Sequence, residues 1–189
     1  MAINLLESIQ QNLGYEPLQK VDPNTQEVKT DDKTFSKYRF SQAAIPSIII
    51  GLYKLSTTDE GAAAILNEPQ SIDWIDGIFG VFEDEAVKRI SEYSYHTTEE
   101  TQTDMDAIAQ EAITLIRKEV PDGDIKKVKD LLAAQRTSVL PYLPASMQIG
   151  ELLNDNTLDD RTHKMEGPVS NLMHSIGNLF SGAETDVKH

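Results

Sequence analysis

The run Ala43-Ala44-Ile45-Pro46-Ser47-Ile48-Ile49-Ile50-Gly51-Leu52 most constrains what this chain can fold into. Ten residues with one hydroxyl among them ask for burial. Three consecutive isoleucines would suit a buried strand. The length of the apolar segment, and the lack of other strand-like runs, favour a buried helix instead. Pro46 then belongs in its first turn or marks a kink. Thr57 and Glu60 have capping-box spacing ahead of a second apolar run, Ala62–Leu66. The spacing therefore predicts two packed helices joined by Ser56–Glu60. Residues 43–53 are too few to span a bilayer, which takes about 20.

Other segments have the helical period. Ile3, Leu6, Ile9 and Leu13 share one face, and Gly14 is placed to end that helix. Residues 15–34 are polar, contain Pro17 and Pro23, and read as a loop or arm. Ser71 is positioned to cap Ile72–Phe79, and a further helix is expected from Val81 to Tyr93. Thr97 and Glu100 repeat the capping box. Behind them Met105, Ile108, Ala109, Ala112, Ile113 and Ile116 form an apolar stripe, with acids early and bases late. Pro121-Asp122-Gly123 is a turn, and Asp124 caps a helix over about 125–138. Shorter helices are expected at 145–153, just after 154–160, and at 169–180. The fold class is all-α, with about eight or nine helices in one domain over 1–182 and a frayed tail at 183–189. Tyr142–Leu152 faintly echoes Ala44–Leu52, which raises the idea of a degenerate internal repeat.

The chain resembles the YidB-like bacterial proteins, a family of unknown function. The matching residues are Ala44, Ile45, Pro46, Gly51 and Leu52, then Asp59, Glu60, Gly61, Ala62, Ala63 and Leu66. Asp76, Gly77, Ile78, Phe79 and Gly80 complete the match. The resemblance covers roughly residues 40–80. It implies a compact helical fold and no reaction. The chain departs from that family in its acidity, its lower glycine content, the 15–34 arm and the 97–119 helix.

Charge narrows the function. Among 189 residues, 31 Asp and Glu face 17 Lys and Arg, for a net charge of −14. Such a field opposes phosphate backbones and anionic membranes, so nucleic-acid partners and membrane docking are disfavoured. There is no cysteine, which excludes disulfides, thiolate catalysis and thiolate zinc sites. The N-terminus lacks the basic flank and apolar core of a signal peptide, so a cytoplasmic location is expected.

Candidate chemistry is sparse. Asp159, Asp160, His163 and Glu166 could share one helical face and meet a divalent metal; such spacings are common by chance, and a polar face with i,i+4 partners is the simpler explanation. Glu92 and His96 have no matching pair that would make a di-iron site. Asn154–Asp160 lacks the glycine and terminal glutamate of a calcium loop. No nucleophile elbow, Walker loop or dinucleotide motif is present, and no cofactor is expected. Trp74 and Phe79 read as core anchors. Val169, Leu172, Met173, Ile176 and Leu179 line one face of a segment whose other face is nearly uncharged. That face could cover the core or support self-association or a protein partner. The expectation is a non-enzymatic binding or assembly module. The alternative is a metal-dependent enzyme using the 159–166 cluster.

Overall fold

The apolar run is the middle of a long helix. The computed structural model describes residues 3–28, 36–67, 69, 72–155 and 158. In chain order its helices are α1 (Leu5–Leu13), α2 (Ser36–Leu55), α3 (Asp59–Asn67), α4 (Trp74–Phe79) and α5 (Glu83–Ser94). They continue with α6 (Thr98–Glu119), α7 (Ile125–Val139) and α8 (Ile149–Leu152). Short 3₁₀ turns occupy Gly80–Phe82, Leu140–Tyr142 and Ala145–Met147. The described residues are 74% helical and contain no strand. Joining contiguous helical stretches leaves seven helices among them, slightly fewer than the eight or nine expected. Two of those expected fall beyond residue 158, outside the described residues.

Helix α2 is the axis of the fold. Every residue from Phe40 to Leu52 is buried. A helix apolar all round must be covered all round. Here α7, α5, α6, α4 and α1 provide the cover. The buried apolar side chains of all these elements form one continuous cluster. Gly51 lets α2 and α4 approach closely, because a Cβ there would overlap Ile78 Cγ2. Pro46 lies inside the helix, not in its first turn, because α2 begins ten residues earlier at Ser36. Its missing N–H leaves the ladder one bond short. At the next residue, the Ser47 hydroxyl donates to the Ala43 carbonyl at 2.7 Å.

Two buried glutamines tie distant segments to this axis. Gln42 Nε2 donates to the Gln19 carbonyl (3.0 Å) and the Tyr142 carbonyl (2.6 Å). Its Oε1 accepts from the Gln19 N–H (3.0 Å) and the Tyr38 hydroxyl (3.2 Å). The arm, non-helical over 15–28, is thereby held against α2. It is stitched to the 140–146 segment by Val21 N–H to Pro141 O and Ala145 N–H to Gln26 O, both 2.9 Å. Gln135 on α7 does the same for α1. Its Oε1 accepts from the Leu5 N–H at 3.0 Å, and its Nε2 donates to the Ile3 carbonyl at 2.8 Å. Buried amides satisfied at both ends fix register as well as adding stability.

Several local expectations hold. Gly14 ends α1 in the left-handed conformation. Thr97 and Glu100 form a reciprocal capping box on α6, and Asp124 caps α7. The α6 stripe from Met105 to Ile116 is buried. Others shift. The cap of α3 is Thr58, whose Oγ1 accepts from the Gly61 N–H at 3.0 Å. Thr57 turns back to close α2, donating to the Lys54 carbonyl at 2.7 Å. The cap of α4 is Asp73 rather than Ser71. The helix expected over 145–153 is broken at Gln148, which adopts φ +44° between the last 3₁₀ turn and α8. The continuous helix over Ala44–Leu52 and this broken segment are therefore not the same structure twice.

Candidate functional site

The joint between α4 and α5 carries the most exposed apolar side chain noted among the described residues. Asp73 starts α4, its carboxylate accepting from the Ile75 and Asp76 N–H groups at 3.0 Å each. Trp74, Ile75, Ile78 and Phe79 then turn into the core. Gly80 closes the helix at φ +53°, ψ −128°, a conformation costly for a residue with a Cβ. The backbone there swings the next two side chains outward. Val81 is 93% exposed and Phe82 40% exposed. Directly afterwards Glu83, Asp84 and Glu85 open α5, as its N-terminal dipole favours. The other exposed large apolar side chain, Tyr95, has the Arg39 guanidinium 5.1 Å from its ring centre.

Carboxylates gather about Glu83, the residue that follows this turn. Asp73 and Asp76 come from α4 and its cap, Glu83 and Asp84 from α5, and Asp106 from α6. Burial, and then the charges of Asp73, Asp76, Asp84 and Asp106, raise the Glu83 carboxyl above the ordinary glutamate value. Burial, and then Asp73, raise Asp106 likewise. Glu83 receives one neutral hydrogen bond, from Gln102 Nε2 at 2.9 Å. None of the five makes an ion pair among the described residues. By contrast Glu85 and Glu151 both pair with Arg89 at 2.8 Å.

A raised carboxyl binds its proton more tightly folded than unfolded, so it subtracts stability above its folded pKa. That penalty fades as pH falls through the window down to the ordinary value. The Asp106→Asn variant is therefore expected to melt a few degrees at most above the parent at pH 7. The gap should close on acidification to pH 3. Thermal midpoints measured across that range check it; an Asp106→Asn variant that melts lower at pH 7 contradicts the assignment.

Two surface hollows offer polar groups without catalytic geometry. One, of about 340 Å³, is lined by Gly14, Tyr15, Glu16, Lys37 and Tyr38. Burial, with the Asp104 charge second, pushes the Tyr15 hydroxyl up to about 12, away from proton transfer at neutral pH. The other, of about 480 Å³, is lined by His96, Glu99, Glu100, Thr103 and Asp104. His96 stacks on Phe40 at 5.4 Å, and its Nδ1 is buried without a partner among the described residues. Glu100 is held in the capping box with Thr97.

Asp159, Asp160, His163 and Glu166 lie outside the described residues, as do Val169, Leu172, Met173, Ile176 and Leu179. Among the described residues no group of three or more His, Asp and Glu could hold a metal ion. Asp155, from the segment weighed as a calcium loop, pairs with Lys54 at 3.0 Å. Trp74 and Phe79 are core anchors, 1% and 4% exposed. The helix expected from Val81 begins instead at Glu83, behind the Val81–Phe82 turn. The acidic triplet Glu83-Asp84-Glu85 marks the true helix start and leaves both apolar residues outside it. No described helix is long and apolar enough to cross a membrane. Compared with protein-family models, curated proteins and solved structures, the chain finds no match.

Proposed function

We propose that this protein is a non-enzymatic binding module that docks a protein partner through the Gly80–Phe82 turn. The observation that carries the reading is the exposure of Val81 and Phe82 at a joint rigidly set by Gly80 and by the Asp73 cap. Two adjacent apolar side chains displayed on an ordered turn offer a compact contact surface. Phe82 has the size and stiffness of an interface anchor. Among the described residues, Thr97 and Glu100 are engaged in a cap, His96 in stacking on Phe40, and Glu85 in an ion pair with Arg89.

The metal-enzyme alternative and self-association through Val169–Leu179 both rest on residues outside those described, and neither contributes to this reading. The test uses the full chain immobilised beside a Val81→Ser/Phe82→Ser double variant. Proteins from the native cell extract retained by the parent and lost by the double variant are the expected result. Identical captured sets, with the variant melting within a degree of the parent, overturn the proposal.

A further inference from the structure

We infer that the partner presents an apolar socket rimmed by lysine and arginine side chains, complementary to the Val81–Phe82 turn and its five carboxylates. This rests on the docking reading above and adds the partner's chemistry to it. Any apolar surface could cover Val81 and Phe82. The carboxylates choose among such surfaces. Asp73, Asp76, Asp84 and Asp106 gather about Glu83, the residue that follows Phe82, from three elements and without an ion pair among the described residues. A neutral or acidic surface closing over the turn would strip water from these groups and return nothing. A basic rim returns an ion pair for each carboxylate it covers and speeds encounter by attraction.

The same charges argue against two occupants closer to hand. A second copy meeting this turn across a two-fold axis would set the carboxylates against themselves. The chain's own apolar segment, Val169–Leu179, carries no cation, and no Lys or Arg occurs anywhere from residue 165 to 187.

Three labelled peptides of equal length test the inference on the full chain, read by fluorescence anisotropy. One alternates leucine with lysine, one leucine with glutamate, one serine with lysine. The leucine–lysine peptide is expected to bind. Val81→Ser/Phe82→Ser should weaken it at least about tenfold, since burial of two such side chains exceeds 1.4 kcal/mol. Glu83→Gln/Asp84→Asn should flatten its salt dependence. The serine–lysine peptide should bind weakly and ignore the apolar double variant.

If the leucine–glutamate peptide binds as well, with the same dependence on Val81 and Phe82, the docking surface stands and the basic rim is overturned. If the leucine–lysine peptide ignores the apolar double variant, or if nothing binds, both readings fall. A photo-crosslinking residue substituted for Val81 identifies the remaining occupants. Intrachain products with residues 159–189, or a dimer abolished by the double variant, overturn the inference in favour of those occupants.

Discussion

Gly61→Ala is expected to destabilise the fold by about 3 kcal/mol, the upper range for forcing an extra carbon into a packed site. For a domain of this size that lowers the thermal midpoint by roughly 6–12 °C. The cause is local. The end of α2 and the start of α3 are joined so tightly that a Cβ on Gly61 would overlap the Leu55 carbonyl oxygen. Leu55 O is backbone, so no rotamer change relieves the overlap. The Gly61 N–H is also fixed, donating to Thr58 Oγ1 at 3.0 Å. The hairpin must open, and α3 must lift from α7 and α6.

The matched control is Gly77→Ala. Gly77 is helical, with nothing within 4 Å of where a Cβ would stand. There the same change should stabilise by up to about 1 kcal/mol through helix propensity. Opposite signs at the two glycines, measured by thermal and urea unfolding, confirm the packing of the α2–α3 joint. A Gly61→Ala variant melting within a degree of the parent rejects it.

Gln42→Ala should cost a comparable amount, about 3 kcal/mol, from lost hydrogen bonds and the cavity left behind. Gln42 is fully buried and serves four partners, three of them backbone groups of Gln19 and Tyr142. Removing it leaves those groups without their amide, and the arm loses its attachment to α2. Limited trypsin digestion reads this directly, because Lys20 lies one residue beyond Gln19. Cleavage after Lys20 should accelerate in Gln42→Ala well beyond what its lowered midpoint predicts. Gln42→Glu keeps the volume but cannot donate as a carboxylate. It should fail like alanine at pH 7 and recover in part at acid pH, where its carboxyl regains a proton. Unchanged digestion in both variants would show that the arm is held elsewhere.

Helices were legible where their signals are local. Helix α6 has an apolar period, a reciprocal capping box and ordered end charges, and all three lie within its own residues. The burial of Ala43–Leu52 was legible because no other solution suits so apolar a run. The depth of Pro46 was not, since the first turns of α2 are polar and owe their form to distant partners. Ser36 donates to the Ser94 carbonyl at 2.8 Å, and Phe40 stacks on His96. Adjacent threonines made the α3 cap ambiguous by one residue. The break at Gln148 has no sequence signal we can name. The docking turn was obscured because Val81 and Phe82 extend the apolar pattern of a helix that the backbone, turning at Gly80, does not continue.

Wrapping α2 with elements from both ends of the described chain has a cost during synthesis. Its cover comes chiefly from α7, α5 and α6, all of which follow it. The first 55 residues can therefore form little more than α1 and α2, with the isoleucine-rich side of α2 open to solvent. At roughly 5–20 residues per second, completing Val139 takes several seconds more. Throughout that interval the nascent chain displays its stickiest segment. The protein's yield in a cell should thus depend on ribosome-associated chaperones more than the stability of the finished fold would suggest.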